Sequence, residues 1–287
     1  MLKRIPLINR LVGGESAPGP VNVLRLHGVI SPTRNSSPVG GSGPVLNIES
    51  LAGDIEKAFK PKNISAVALL INSPGGSPVQ SNLIAARIRQ LAEEKEVPVF
   101  AFTEDVAASG GYWLACAADE IYADPASIVG SIGVISGGFG FTGLMEKIGV
   151  DRRIYTAGEN KSRLDPFSPE KESDVEWIKT LQLDMHEIFR SYVESRRDGK
   201  FKVEDPRSLM NGDVFLGDKA LELGLVDGVG DLRSTMRARF GEKVQLKLVN
   251  KPKRGLPLLN LLGSHADPLG NTLTALEQRA LWGRYGL

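Results

Sequence analysis

Ser109 has the strongest chemical setting in the chain. It lies in Ala107-Ala108-Ser109-Gly110-Gly111-Tyr112, between the strand-like Val99-Phe100-Ala101-Phe102 and the apolar run Tyr112 to Ala118. Small residues around a serine at a strand-to-helix bend resemble a nucleophile elbow, which holds the hydroxyl out for attack on an acyl carbon. The strict Gly-x-Ser-x-Gly pattern fails, because position 107 is Ala. A plain helix N-cap is the alternative use of the same serine.

A second turn, Asn72-Ser73-Pro74-Gly75-Gly76, directly follows the apolar run Ala66 to Ile71. Ser77 and Pro78 then open a helix, and Gln80 completes a Ser-x-x-Gln capping box. The glycine pair permits a sharp bend and leaves backbone N–H groups suited to an oxyanion. A tight turn without a ligand and a phosphate-binding turn stay open as alternatives. The phosphate-loop pattern GxxxxGK[ST] and the dinucleotide pattern GxGxxG are both absent here.

A serine nucleophile needs a base within hydrogen-bond reach. The three histidines, His27, His186 and His265, are far apart in sequence. His27 ends a strand beside Gly28, and His186 reads as a solvated residue on a long helix. A lysine serves if burial favours its neutral form. Lys161, in Ala157-Gly158-Glu159-Asn160-Lys161-Ser162, is the candidate. An ordinary solvated loop lysine is the competing reading. Cys116 sits in an apolar run and reads as a small buried hydrophobe. No metal-ligand spacing such as HExxH occurs, so neither metal nor cofactor is expected.

The elements that must position these turns follow an α/β pattern. Apolar segments at 21–30, 66–71, 97–102, 120–123, 128–135 and 152–156 read as strands. Helical spacing covers Ile48 to Phe59, the stretch after Ser77, and a long helix from Ser168 to Arg197. In that long helix Ser168 is the expected cap and Pro169 fits the first turn. Its expected apolar stripe is Ile178, Leu181, Met185, Ile188 and Tyr192. Residues 31–43 read as a loop, and a short helix is expected around 272–281. The division is an arm (1–20), one catalytic domain (21–250) and a tail (251–287).

The 287 residues carry a net charge of +1, which argues against a nucleic-acid partner. An apolar fraction of 41% suffices for a large core. Pro125 to Met145 lacks charge over a span's length, but its six glycines mark buried strand and turn in a soluble core. Residues 1–12 are basic with scattered apolar positions. They read as an arm, free or packed on a partner subunit, with a weak interfacial helix in peripheral membrane contact as the alternative. No signal peptide or anchor is recognised, so the expected address is the cytoplasm.

Four motifs in order, NSPGG (72–76), ASGGYWLA (108–115), GSIGV (130–134) and the Lys161 turn, resemble the signal peptide peptidase A family of serine proteases, peptidase family S49. MEKIGVDRRIYTAGENK (145–161) and LDPFSPE (164–170) look closest to its SohB-like branch, and GDVFLGDKALELGLVD (212–227) is similar to the family's closing segment. The resemblance implies a ClpP/crotonase-like fold of repeated ββα units and a Ser-Lys dyad. Ser109 is then the nucleophile and Lys161 the general base. Ser131 would help hold the lysine, and Gly76 and Gly110 would offer N–H groups to the oxyanion. It also implies peptide substrates, signal-peptide remnants among them, and a ring-like homo-oligomer. A catalytically idle scaffold ring and a crotonase-type acyl-CoA enzyme are the alternatives; neither needs the Ser109–Lys161 pair.

Overall fold

A computed structural model describes residues 18–32, 45–250 and 279–287. Its first unit sets a pattern that the chain repeats. In strand β1 (Val21–His27) apolar side chains alternate between two faces. Leu24 and Leu26 enter one core, Val21 and Val23 the other. Gly28, at φ 114°, ends the strand, and the chain bends into β2 (Val29–Ile30). β2 pairs in parallel with β3 (Val45–Leu46), and helix α1 (Ile48–Phe59) follows.

The second unit repeats this order. β4 (Ala66–Ser73) leads into Gly75 and Gly76 and then α2 (Pro78–Lys95). Here Gly76 bridges in parallel to Ile30, in the place of a short second strand. The third unit is β5 (Val99–Ala108) and α3 (Gly110–Ala115). β6 (Glu120–Ala123) pairs the first half of β5, and β7 (Ile128–Gly130) pairs its last three residues. This is the α/β architecture of strand–strand–helix units that the sequence implies.

Then come α4 (Thr142–Ile148), α5 (Glu172–Arg196), β8 (Val214–Leu216), α6 (Gly217–Leu223), β9 (Gly228–Val229), α7 (Leu232–Phe240) and β10 (Leu246–Leu248). The main sheet has eight strands in the order β10-β1-β4-β5-β6-β9, with β7 beside β5 and β8 beside β7. Only the β7–β8 pair is antiparallel among its described pairs. α1, α2 and α3 cover one face through Ile55, Phe59, Ile84, Ile88, Trp113 and Leu114. α7 covers the other through Met236 and Phe240. Burial on both faces explains why β4 reads as an unbroken apolar run.

Several expectations are corrected. The strand over 21–30 is two strands, split at Gly28. Gln80 does not close a capping box: Ser77 Oγ accepts from its N–H at 3.4 Å, but its side-chain oxygen accepts from Ile48 N on α1 at 2.9 Å. The strand from Ile128 stops at Gly130, because Ser131 turns to φ 51° and donates its N–H to Asp213 O. Residues 152–156 form no strand; they are exposed and have no strand beside them among the described residues.

The long helix starts at Glu172, since Ser168 Oγ turns back to Asp165 at 2.9 Å. Its buried positions are Asp174, Phe189 and Val193, whereas Leu181 and Ile188 of the expected stripe are exposed. Most of the 31–43 loop and of the 272–281 helix, and residues 1–12, lie outside the described residues.

One buried ion pair ties these layers together. Arg197, just past α5, is fully buried and donates to Asp227 Oδ2 at 2.6 Å and to Gly224 O. The same Asp227 oxygen accepts from Ile121 N in β6 at 2.7 Å. Burial pushes the Asp227 carboxyl up, but Arg197 and the Ile121 N–H outweigh it and hold the group below its ordinary value. A depressed native value stabilises the fold above the unfolded carboxyl value and is lost as pH falls through the native one. Stability measured in urea is therefore expected to decline in acid below about pH 4, partly through Asp227. Arg197→Met is expected to cost about 3–5 kcal/mol at neutral pH, because it removes the buried partner of Asp227 and leaves the carboxylate only the half-exposed Lys200, 3.1 Å from its other oxygen. A cost under about 1 kcal/mol in urea titrations would contradict this role.

Candidate active site

Ser109 joins β5 to α3 with φ 53° and ψ −122°, a backbone that L residues avoid. Such strain costs about 1–3 kcal/mol and persists only where the surroundings impose it. Here they do. Ser109 N–H donates to Gly130 O in β7 at 2.8 Å, and its carbonyl accepts from Trp113 N at 3.0 Å. Trp113 is clamped in turn by α5, with ring centroids 4.8 Å from Phe189 and 4.9 Å from Tyr192. The serine stands at the N-cap position, yet its hydroxyl makes no capping bond. That removes the plain capping role and leaves the oxygen half-buried and unengaged among the described residues.

The Gly75–Gly76 turn packs directly on this bend. A Cβ added at Gly75, whose φ is 99°, would stand 2.8 Å from Ala108 O, Gly110 N and Ser109 Cβ. One at Gly76 would meet Ile30 O at 2.0 Å, and one at Gly110 would meet Ser81 Oγ at 2.4 Å. Gly75 N–H is taken by Ser73 Oγ at 3.2 Å. The N–H groups of Gly76 and Gly110 have no hydrogen-bond partner among the described residues. Two free donors thus flank a strained serine whose hydroxyl is free, the inventory for stabilising a developing oxyanion.

Ser131 is close in the chain path: it follows Gly130, which holds Ser109 N–H, and it too has a positive φ. His186 is not the solvated residue expected. Its Nε2 lies 3.0 Å from Ile132 O, so α5 grips the chain just after Ser131. The structure therefore brings Ser109, Gly76, Gly110 and Ser131 to one end of the sheet. It does not bring Lys161 into hydrogen bonding with them. Lys161 is exposed in a turn where its N–H donates to Gly158 O at 3.2 Å. Cys116 is inert as expected, buried and with its thiol pushed up by burial to about 11.

Sequence reasoning missed the serines behind the glycines. Ser73 and Ser81 are fully buried, Ser73 beneath the turn and Ser81 against Gly110. Ser81 Oγ donates to Ser77 O at 2.9 Å. Its place one helical turn after the Ser77 cap was the available signal.

Peptidase family S49 matches residues 91–247. The chain is 50% identical over 302 aligned residues to a Brucella abortus (strain 2308) protein named Na(+)/H(+) antiporter NhaA, covering 100% of this chain and 39% of that protein. It is 30% identical over 207 residues to the putative signal peptide peptidase SppA of Enterococcus faecium, covering 72% of this chain and 59% of that one. It is 31% identical over 182 residues to the probable protease SohB of Buchnera aphidicola subsp. Acyrthosiphon pisum (strain APS), covering 63% of this chain and 53% of that one. The chain thus spans about two fifths of the length of the Brucella relative. Among the described residues no helix is long and apolar enough to cross a membrane.

The glycine contacts give a direct test. Gly75→Ala is expected to cost about 1–3 kcal/mol, from its positive φ and from the backbone it meets. Chemical denaturation measures the loss. Unchanged stability would mean that the turn does not pack on Ser109 as described.

Proposed function

The chain belongs to peptidase family S49, and we propose that it hydrolyses peptide bonds through an acyl-enzyme on Ser109. The strained Ser109 backbone, with its hydroxyl free beside two unpaired N–H groups, carries this reading. In the mechanism Lys161, neutral, takes the proton of Ser109 Oγ as that oxygen attacks the carbonyl carbon. The oxyanion accepts from Gly76 N–H and Gly110 N–H. Lys161 returns the proton to the departing amine, then takes one from the water that hydrolyses the ester and gives it to Ser109 Oγ as the acid product leaves. Ser131 would hold the lysine by a hydrogen bond once Lys161 is covered and brought to the serine. Loss of one oxyanion donor raises the barrier by about 2.7–4 kcal/mol in such sites.

A lysine works as a base only when desolvation favours its neutral form. Lys161 is exposed in the single chain, so the mechanism requires cover. The same region is rich in uncovered apolar side chains: Phe139 is 72% exposed and Tyr155 91%, and on α5 Leu183 and Ile188 are 67% and 62% exposed. We read this exposed apolar surface as an interface between copies of the chain. A homo-oligomer, ring-like as in the family resemblance, would cover it and close over Lys161. Short peptides, signal-peptide remnants among them, are the proposed substrates. The name of the Enterococcus relative supports that class.

A fluorophosphonate probe tests the dyad. Labelling is expected at Ser109, absent in Ser109→Ala, and slowed by about 10²–10⁴-fold in Lys161→Ala. Persistence at the wild-type rate in Lys161→Ala would sink the lysine's role.

A further inference from the structure

β5 and β4 fall out of step just ahead of Ser109. Ile71 pairs with Thr103, but the next pair is Ser73 with Ala107. One residue on β4, Asn72, therefore faces three on β5: Glu104, Asp105 and Val106. On the other side β6 pairs β5 only as far as Thr103, and β7 resumes at Val106. Glu104 and Asp105 form a bulge with no regular strand partner on either side.

Side chains hold it instead. Asn72 Nδ2 donates to Asp105 Oδ2 at 2.5 Å. Glu104 Oε2 lies 2.5 Å from His27 Nε2 on β1, close but off-line for a hydrogen bond. Arg25 Nε donates to the other ring nitrogen of His27 at 2.9 Å, which leaves the proton on Nε2, toward the carboxylate. The Ser127 hydroxyl, from the link between β6 and β7, is shared between the carbonyls of Thr103 and Glu104.

We propose that this bulge, tied by the hydrogen bond of Asn72 to Asp105 and with Glu104 set against His27, positions Ser109 against the Gly75–Gly76 turn. The inference rests on Ser109 as the nucleophile. Asn72 opens the turn that carries Gly76, and Asp105 lies on the strand that ends at Ser109. Their bond joins the two segments whose serine and N–H groups must stay in register, and bulges beside active sites re-aim side chains in this way. Both carboxylates project from exposed residues, outside the packed core. They are positioning residues: they act on the reaction through the backbone of Ser109.

The test is the rate of Ser109 modification by a fluorophosphonate at increasing probe concentration, which separates binding from the covalent step. Asp105→Ala is expected to slow the maximal rate about 10-fold or more and to change the half-saturating concentration less than about twofold, the signature of misplaced reacting atoms. Asp105→Asn keeps an acceptor for Asn72 and is expected to recover the rate to within about threefold. Asn72→Ala with Asp105→Ala together should be no slower than Asp105→Ala alone. Glu104→Leu against Glu104→Gln repeats the comparison at the second contact. A wild-type rate in Asp105→Ala and Glu104→Leu overturns the positioning role, as does equal loss in Asp105→Asn and Asp105→Ala. In both cases Ser109 remains the nucleophile. Failure of the unaltered protein to be labelled at Ser109 overturns both readings.

Discussion

Two backbones meet at the candidate site with no room for a β-carbon between them. Gly75 rests against Ala108, Ser109 and Gly110, and Gly76 rests against Ile30. That contact depends on parallel pairing of β1, β4 and β5, which ends all three strands at one edge of the sheet. It also depends on Ser109 holding a backbone it would not choose in isolation. The restraint comes from three sides: β7 through Gly130, α3 through Trp113, and the glycine turn itself. The packing of Trp113 between Phe189 and Tyr192 extends that restraint to α5.

Much of this was legible wherever a local rule and burial agree. α1 runs from Ile48 to Phe59, where the apolar spacing puts it, because its buried side is Leu51, Ile55, Ala58 and Phe59. β4 reads as a buried strand for the same reason. The glycine turns were legible because only glycine tolerates their φ angles and contacts. The sequence also signalled that Ser109 stands at a bend, but not that its hydroxyl would be free of capping, which is a matter of torsion angle.

Elsewhere local rules lost to tertiary contacts. Gln80 had a capping partner in sequence, yet bonds α1 across the gap. His186 looked solvated until α5 was laid beside Ile132. The bulge at Glu104 and Asp105 has no sequence signature, since it exists only relative to its neighbours. Residues 131–171 were the least legible. The run to Met145 suggested buried strand and turn and 152–156 a further strand, but α4 lies there with no buried residue and many apolar side chains of the stretch face outward in the single chain. Lys161 belongs to this stretch. Its exposure and the uncovered apolar surface raise one question, what covers this part of the molecule, and the proposed homo-oligomer would answer it.

The central claim is that Ser109 Oγ and the N–H groups of Gly76 and Gly110 converge on one acyl group, the serine oxygen on its carbon and the two N–H groups on its oxygen. A crystal structure of the protein inactivated by a peptidyl phosphonate tests it most directly. The expected result is a covalent bond from Ser109 Oγ to phosphorus, with the phosphonyl oxygen about 2.7–3.1 Å from both Gly76 N and Gly110 N. An adduct on another residue, or a phosphonyl oxygen turned away from both glycines, would contradict it.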